Sequence, residues 1–225
     1  MNKIYTILSN IKNNIPQALA RFNDGEMLGI EKVGSVVARG DQTVDQSLSV
    51  KLKEALQHQQ KNYWVGIPCS HCWRKHYRRA MKLIDKEYPY LTSAVVTTNR
   101  NWKLFRDTFG KNIDAHKKLI WISGADQNMS ELEKILHHAI HEHITLPTHN
   151  AWKEYENIHT RAHEFESGSV IALSCGPTSR VLAKEWFEER PDCTFIDVGS
   201  VFDPYTRNVW NNCHTGTLKP CRECN

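Results

Sequence analysis

The sequence predicts one α/β domain, built on a mostly parallel sheet that is covered by helices on both faces. Strand-like and helix-like segments alternate about six times along the chain. The strand-like segments are continuously apolar rather than alternating, which indicates strands that are buried on both faces. They are 18–20, 63–68, 92–97, 118–123, 143–146, 169–174 and 194–198, with a shorter β-prone piece at 33–38. This arrangement is typical of a single Rossmann-like domain.

The predicted helices occupy the segments between these strands, where apolar residues recur at helical spacing. Such a pattern predicts a first helix over 3–13, which ends before Pro16. Ser130, followed three residues later by Glu133, predicts a capping box at the start of a helix over 130–138. The remaining predicted helices are 45–58, 72–86, 101–109, 152–165 and 177–188.

Length and composition limit the class of protein. The chain has 225 residues, with 29 basic and 25 acidic side chains and a formal charge of +4. This small excess does not indicate nucleic-acid binding. No apolar run is long enough for a transmembrane helix, and the first residues lack a signal-peptide pattern, so we expect a soluble, cytoplasmic protein. We expect one domain over 1–210 and a cysteine-rich tail over 211–225.

The segment Arg21-Phe22-Asn23-Asp24-Gly25-Glu26 places an arginine and two carboxylates directly after the first strand. Ligands of open α/β sheets bind outside the carboxyl ends of the strands. In an extended or turned segment, Gly25 lets the backbone bend so that Asp24 and Glu26 face one ion. Mg²⁺ and Mn²⁺ prefer such oxygen ligands, often together with substrate phosphates. The alternative is a helix-capping turn, with Glu26 in the first helical turn, where the dipole favours a negative charge.

A second candidate is the turn Ser174-Cys175-Gly176-Pro177-Thr178-Ser179, which follows the strand 169–174. Pro177 stands at the first helical position, and helix N-termini bind phosphates through their free N–H groups. Thr178, Ser179 and the backbone are the candidate donors. The alternative is an ordinary strand-to-helix turn capped by Ser and Thr. The turn matches neither a P-loop nor a dinucleotide fingerprint.

Two further strand ends carry candidates. Asn99 and Arg100 follow the strand 92–97, and arginine suits bidentate phosphate contacts. Asp197 ends the last strand and Asp203 follows it, so each is a candidate for binding a ribose, a sugar hydroxyl or a metal. The alternatives are a surface arginine and turn-forming aspartates.

Two C-x-x-C pairs, Cys69/Cys72 and Cys221/Cys224, present the alternative of a structural zinc site. Four thiolates form a closed tetrahedral Zn²⁺ site. About 150 residues separate the pairs, however, which far exceeds the usual spacing in zinc ribbons. The odd total of seven cysteines, without a signal peptide, favours reduced thiols.

The chain also has a histidine-rich stretch and a basic run. His137, His138, His141, His143 and His149 cluster on a predicted helix and the strand after it, and His137 and His141 have helical i, i+4 spacing. The stretch lacks the H-E-x-x-H order, so we interpret all five histidines as solvated. The basic run 74–79 predicts a helix face that is solvated or attracts phosphate. The sequence leaves two alternative partners for this face, an anionic acceptor and a membrane surface.

Three stretches, in the expected order, resemble the GT-D type glycosyltransferases. They are RFNDGE, SVIALSCGPTSRVLAKEWF and TFIDVGSVFDPY. The family carries R-F/Y-G-D-G-E, L-x-x-G-P-T-A-x-x-L-A and I-D-I-G-H-x-D at corresponding places. This chain departs from the family pattern at three positions, because Asn23 replaces Gly, Ser179 replaces Ala and Ser200 replaces His.

The resemblance implies a Rossmann-like fold of the GT-D type and transfer of a sugar from a nucleoside-diphosphate sugar to a hydroxyl on a glycan or glycoconjugate. We expect a UDP-sugar donor. Asp24 and Glu26 would be the metal or catalytic carboxylates, with Mn²⁺ or Mg²⁺, and Arg21 a diphosphate partner. Residues 176–178 would line the donor site, and Glu26 is the candidate general base. The alternatives are another Rossmann-type enzyme, such as a methyltransferase, and a non-enzymatic zinc-stabilised binding module.

Overall fold

The computed structural model describes residues 3–37 and 42–210. Within these residues the chain forms a seven-stranded sheet and a separate two-stranded antiparallel pair. The strands are β1 (Ala18–Arg21), β2 (Val36–Val37), β3 (Gln42–Thr43), β4 (Tyr63–Ile67), β5 (Leu91–Ser93), β6 (Leu119–Gly124), β7 (Glu142–Leu146), β8 (Val170–Ser174) and β9 (Thr194–Asp197). Every neighbouring pair in the larger sheet is parallel, which confirms the predicted fold class.

The α-helices lie mainly in the predicted segments. They are α1 (Ile4–Lys12), α2 (Asp24–Glu31), α3 (Gln46–Gln57), α4 (Arg74–Leu83), α5 (Trp102–Thr108), α6 (Met129–Leu136), α7 (Tyr155–Ile158), α8 (Thr178–Glu189) and α9 (Asp203–Thr206). Short 3₁₀ segments occupy Asn99–Asn101, Gly110–Asn112, Ala151–Glu154 and His159–Glu164. Across the described residues, no helix has the length and apolar character needed to cross a bilayer.

The strand order of the larger sheet is β5-β4-β1-β9-β8-β6-β7. From β1 the chain moves outward through β4 and β5, then crosses to β6 and β7 on the other side, and returns through β8 and β9. Ala18 therefore pairs with Tyr63 of β4 on one side and with Phe195 of β9 on the other. This reversal makes the carboxyl ends of β1 and β9 a topological switch point, where α/β sheets bind their ligands.

Apolar side chains from alternate strand positions enter two cores on opposite faces of the sheet. In β1, Ala18 and Ala20 belong to one core and Leu19 to the other. The first core is covered by side chains of α2, α3, α4 and α8, and the second by those of α1, α5 and α6. Burial on both faces explains why the strands read as continuous apolar runs.

Three predictions about local structure are wrong. The strand predicted over 92–97 is only Leu91–Ser93, because the chain turns directly after it. The segment 152–165 is two 3₁₀ stretches around the single α-helical turn α7 rather than one helix. The N-cap of α6 is Asn128, whose side chain accepts from the Glu131 N–H at 3.2 Å. The Glu133 carboxylate accepts from the Ile140 N–H instead of forming a capping box. The proposed tail 211–225 lies outside the described residues.

Candidate active site at the carboxyl edge of the sheet

Four buried charged side chains meet where β1 and β9 end, and we call them the charge cluster. They are Arg21, Glu26, Arg180 and Asp197, and none is more than 7 % exposed. Arg21 Nη2 lies 3.3 Å from Asp197 Oδ1, and Arg180 Nε lies 3.2 Å from Asp197 Oδ2. Arg180 Nη2 lies 3.1 Å from Glu26 Oε1. Two arginines and two carboxylates thus balance each other's charge.

Hydrogen bonds to the backbone fix the arginines of the cluster in place. Arg21 Nε donates to the Asp197 carbonyl at 2.9 Å, and the Arg21 N–H donates to Asp197 Oδ2 at 3.2 Å. Arg180 Nε donates to the Arg21 carbonyl at 2.7 Å. Arg21 Nη1 donates to the Ala94 carbonyl, in the turn after β5, at 3.4 Å. The cluster therefore joins β1, β9, α8 and the β5 turn.

Because the cluster is buried, each charged side chain in it is stabilised mainly by its oppositely charged partners. Burial by itself lowers the pKa of Arg180, but the carboxylates of Asp197 and Glu26 outweigh it and raise that pKa above its ordinary value. Removing one partner from a buried ion-pair network leaves another charge uncompensated, which typically costs about 3–5 kcal/mol of stability. The cluster thus contributes to the stability of the fold at the carboxyl ends of β1 and β9.

The segment after β1 is helical rather than extended, which corrects the geometry expected for Asp24 and Glu26. Asn23 is the N-cap of α2, Asp24 is its first residue and Glu26 its third. Glu26 Oε2 accepts from the Asn23 N–H at 3.0 Å while Glu26 Oε1 faces Arg180. Side chains two residues apart on a helix do not face each other. The capping alternative therefore describes Glu26, and Gly25 makes no bend that brings the two carboxylates together.

Asp24 and Glu26 differ in how well they fit as ligands of a divalent cation. Both oxygens of Glu26 are engaged, so Glu26 does not fit as a ligand in this arrangement. Asp24 is partly exposed at the N-terminus of α2 and does fit, because Mg²⁺ is often bound by one carboxylate together with substrate phosphates. Within residues 3–37 and 42–210, no group of three or more His, Cys, Asp or Glu side chains has metal-binding geometry.

The role of Arg21 as a diphosphate partner stays a prediction. Its guanidinium is buried and donates to Asp197 and to the Ala94 carbonyl. In this arrangement the guanidinium is therefore engaged within the protein. Arg180, which the sequence reasoning missed, has the same character. Its only sequence signal is a basic residue at the start of a predicted helix, directly before the apolar residues Val181, Leu182 and Ala183.

The turn between β8 and α8 is closely tied to its surroundings. Ser174 Oγ donates to the Gly199 carbonyl at 2.8 Å, which links this turn to the loop after β9. Ser179 Oγ accepts from the Cys175 N–H at 3.1 Å, so in this arrangement the hydroxyl stabilises the turn. Gly176 has a φ of +59° and is the one partly exposed residue of the six-residue turn 174–179. Pro177 and Thr178 are buried beside it.

The polar side-chain atoms of Thr178 and Cys175 differ in their availability to a ligand. Thr178 Oγ1 is buried without a hydrogen-bond partner among the described residues, so it remains a candidate donor at the N-terminus of α8. Burial raises the pKa of the Cys175 thiol to about 12. Cys175 is therefore a neutral structural thiol rather than a nucleophile or metal ligand.

The remaining candidates lie elsewhere along the same edge. Asn99 and Arg100 are in the 3₁₀ segment before α5, where Asn99 is partly exposed and Arg100 exposed, and neither belongs to the charge cluster. Asp203 is buried at the start of α9, and its Oδ1 accepts from Gln127 Nε2 and Arg207 Nη1, each at 3.4 Å. Asp203 therefore connects the loops after β6 and β9.

The cysteine and histidine candidates are only partly described. Cys69 is buried and Cys72 exposed, while Cys221 and Cys224 lie outside the described residues. His137 is a left-handed residue at the end of α6, so His137 and His141 do not share a helical face. Both are exposed, as expected for solvated histidines. The same expectation is wrong for His143, which is half-buried with its Nε2 at 3.0 Å from Ser123 Oγ.

A parallel sheet with charged residues and helix N-termini at its carboxyl edge defines the class of α/β proteins that bind ligands at a switch point. Within that class, a family model described as the glycosyltransferase GT-D fold matches residues 74–214, and the chain belongs to this family. The matched region includes Arg180 and Asp197 but begins after Arg21 and Glu26. A search of curated proteins found no match.

Solved structures show the same fold. One described as "A New Glycosyltransferase (DUF1792) from Streptococcus sanguinis" has a TM-score of 0.70 and 18 % identity, covering 90 % of this chain and 81 % of its own. Another, "The highly conserved domain of unknown function 1792 has a distinct glycosyltransferase fold", has a TM-score of 0.68 and 19 % identity, with coverages of 90 % and 78 %. A selenomethionine-substituted structure of domain of unknown function 1792 has a TM-score of 0.69 and 18 % identity, with coverages of 99 % and 88 %. The predicted resemblance is thereby confirmed at the level of family and fold.

Proposed function

We propose that the protein transfers a sugar from a nucleoside-diphosphate sugar, for which we choose a UDP-sugar, to a hydroxyl on a glycan or glycoconjugate. Membership of the GT-D family supports glycosyl transfer and favours it over a methyltransferase-type reaction. The zinc-stabilised binding module depends on Cys221 and Cys224, so it gains no support from the described residues.

The observation that carries this proposal is the junction between the N-termini of α2 and α8. Glu26, in the first turn of α2, faces Arg180, in the first turn of α8, at 3.1 Å. Two helix N-termini thus meet at the carboxyl edge beside β1, where the strand order reverses. Each end carries a partial positive charge and N–H groups without intrahelical partners, which suit the phosphates of a donor.

The reaction requires stabilisation of a leaving diphosphate. The bond between the sugar C1 and the phosphate oxygen breaks, the diphosphate keeps the electron pair, and the acceptor oxygen bonds to C1 and loses its proton. Fixed dipoles aimed at the developing charge lower the barrier to such a step. In our assignment, the backbone at Gly176 and the Thr178 hydroxyl supply this stabilisation. The charge cluster beneath them keeps both helix N-termini in position.

Asp24 is the residue that we assign to a divalent cation, Mn²⁺ or Mg²⁺, shared with the donor phosphates. Such an ion, when bound, would neutralise charge on the leaving diphosphate. We assign Glu26 to positioning, because it is buried, caps α2 and pairs with Arg180. In this arrangement its carboxylate is not placed to act as a general base, so we assign that role to no residue.

A thermal-shift experiment with UDP and GDP, each with and without Mn²⁺, tests the proposal. A ligand at a hundredfold excess over its Kd stabilises the folded state by about 2.7 kcal/mol. We expect a metal-dependent rise in Tm with UDP for the wild type and little or no rise for Asp24→Asn. Asp85→Asn is the control, because Asp85 is an exposed carboxylate beyond the far end of α4.

Turnover completes the test. We expect UDP release from a UDP-sugar by the wild type and by Asp85→Asn, and at least a tenfold loss in Asp24→Asn. If no nucleotide raises the Tm of the wild type, the donor site is wrong. If Asp24→Asn keeps both the metal-dependent shift and full turnover, the assignment of Asp24 is wrong while the donor proposal stands.

A further inference from the structure

A basic groove between α2 and α4 lies apart from the charge cluster. It has a volume of about 650 Å³. Its lining is Leu28, Glu31, Lys32, Lys75, Arg79, Lys82 and Leu83. Glu31 is the only acidic residue in this lining, and it forms an ion pair with Arg79. The groove therefore carries a net positive charge, and its lining also includes two leucines.

The helix α4 presents much more positive charge than its packing requires. Ala80 is its one fully buried residue. Lys75, Arg79 and Lys82 recur at i, i+4 and i+7, so they form one outward stripe along the groove. Arg74 and Arg78 are exposed beside that stripe. We call the six cations of this surface the basic face: Lys32, Arg74, Lys75, Arg78, Arg79 and Lys82.

Apolar side chains are exposed next to the basic face. Leu28 lies in the groove, Val33 follows Lys32 directly, Val36 is in β2, and Trp73 immediately precedes α4. Their exposed fractions run from 38 % to 57 %. A basic surface that also exposes leucine, valine and tryptophan is the combination found where proteins lie in a lipid interface.

We propose that the basic face docks on an anionic lipid bilayer, with Leu28 and Trp73 entering the interface. Clusters of four to eight Lys or Arg residues on a helix bind acidic lipid headgroups. A soluble anionic glycan would match the cations but would leave the exposed apolar side chains without a partner. The bilayer satisfies both features, and this proposal does not depend on which sugar the enzyme transfers.

Vesicle co-sedimentation of the full chain tests the proposal. We expect binding to vesicles of phosphatidylcholine with phosphatidylglycerol, weakening with salt, and none to phosphatidylcholine alone. The double variant Lys75→Glu/Lys82→Glu should weaken binding more than about tenfold, since each interfacial cation contributes roughly fivefold in affinity. Lys103→Glu/Lys111→Glu is the matched control, because it makes the same change in net charge.

The control residues are well separated from the basic face. Lys103 in α5 and Lys111 in the 3₁₀ segment Gly110–Asn112 are both exposed. Phe105 of α5 belongs to the core on the opposite side of the sheet. We expect this control to keep wild-type binding. If it weakens binding as much as Lys75→Glu/Lys82→Glu does, or if the wild type does not bind anionic vesicles, the proposal is overturned. An unchanged Tm in both variants confirms that each is folded.

A second variant separates the bilayer from a soluble polyanion. Leu28→Ser/Trp73→Ser keeps every charge of the basic face and should weaken vesicle binding several-fold. It should leave binding of polyphosphate unchanged. If this variant binds anionic vesicles as tightly as the wild type, the proposed insertion of Leu28 and Trp73 is wrong.

Discussion

Gly199 lies directly against the guanidinium of Arg21. A Cβ placed on Gly199 would stand 2.2 Å from Arg21 Nη2, and Gly199 has a φ of +52°. Arg21 has no room to move aside, because it is buried and donates to Asp197 through Nε and Nη2 and to the Ala94 carbonyl through Nη1. The loop after β9 therefore closes over the charge cluster only because this position has no side chain.

Gly199→Ala is expected to lower the free energy of unfolding by about 2–4 kcal/mol, from backbone strain at positive φ and from the clash with Arg21. Gly34→Ala is the control, because Gly34 has a φ of +81° but a Cβ placed on it would meet no described atom within 4 Å. We expect a loss of about 1–2 kcal/mol there, from the backbone alone. Urea unfolding measures both. Equal losses would mean that Arg21 yields to the new methyl group.

Arg180→Met is expected to lower the free energy of unfolding by about 3–5 kcal/mol, because it leaves Glu26 and Asp197 buried beside a single remaining cation. Lys134→Met is the comparison, since Lys134 forms an exposed pair with Glu131 within α6. A surface pair of this kind contributes about 0–1 kcal/mol. A similar small loss in both variants would contradict the role of the charge cluster in stability.

Cys175 is expected to resist alkylation in the folded protein. Burial raises its pKa to about 12, and the thiolate is the reactive form. Iodoacetamide labelling at neutral pH, read site by site by mass spectrometry, should leave Cys175 unmodified in buffer and label it in urea. Exposed Cys72 serves as the reference. Labelling of Cys175 as fast as Cys72 under native conditions would contradict its burial.

His143 is expected to make stability fall on acidification. Its Nε2 lies 3.0 Å from Ser123 Oγ, and burial lowers its pKa below the ordinary value of 6.5. Because protonation then favours the unfolded chain, this contribution to stability is present above about pH 6.5 and is lost as the pH falls below it. His143→Gln should flatten the decline between about pH 6.5 and 5. An NMR titration of His143 with a midpoint at or above 6.5 would contradict the premise.

Local pattern was enough to predict most of the fold. Continuously apolar runs, separated by segments in which apolar residues recur at helical spacing, predict parallel strands that are buried on both faces. The ends of these runs also predict where β1, β8 and β9 end. The prediction failed where the chain departs from regular elements. The residues after Ser93 turn rather than extend, and 3₁₀ geometry replaces most of the predicted helix before β8. Such short segments are set by the loops and contacts around them.

The sequence by itself determined the sheet, the position of the RFNDGE segment at a strand end, and the resemblance to the GT-D family. Only the tertiary structure decided what those charged residues do. Arg21 and Asp197 are 176 residues apart, and Glu26 meets Arg180 only because β1 and β8 are brought together around β9. Propensity acts over a few neighbouring residues, whereas a buried charge is stable only beside the partner that folding brings to it. For this reason Arg21 and Glu26, which the sequence indicates as candidate site residues, are buried in the charge cluster, and Asp24 alone of the three is partly open to solvent.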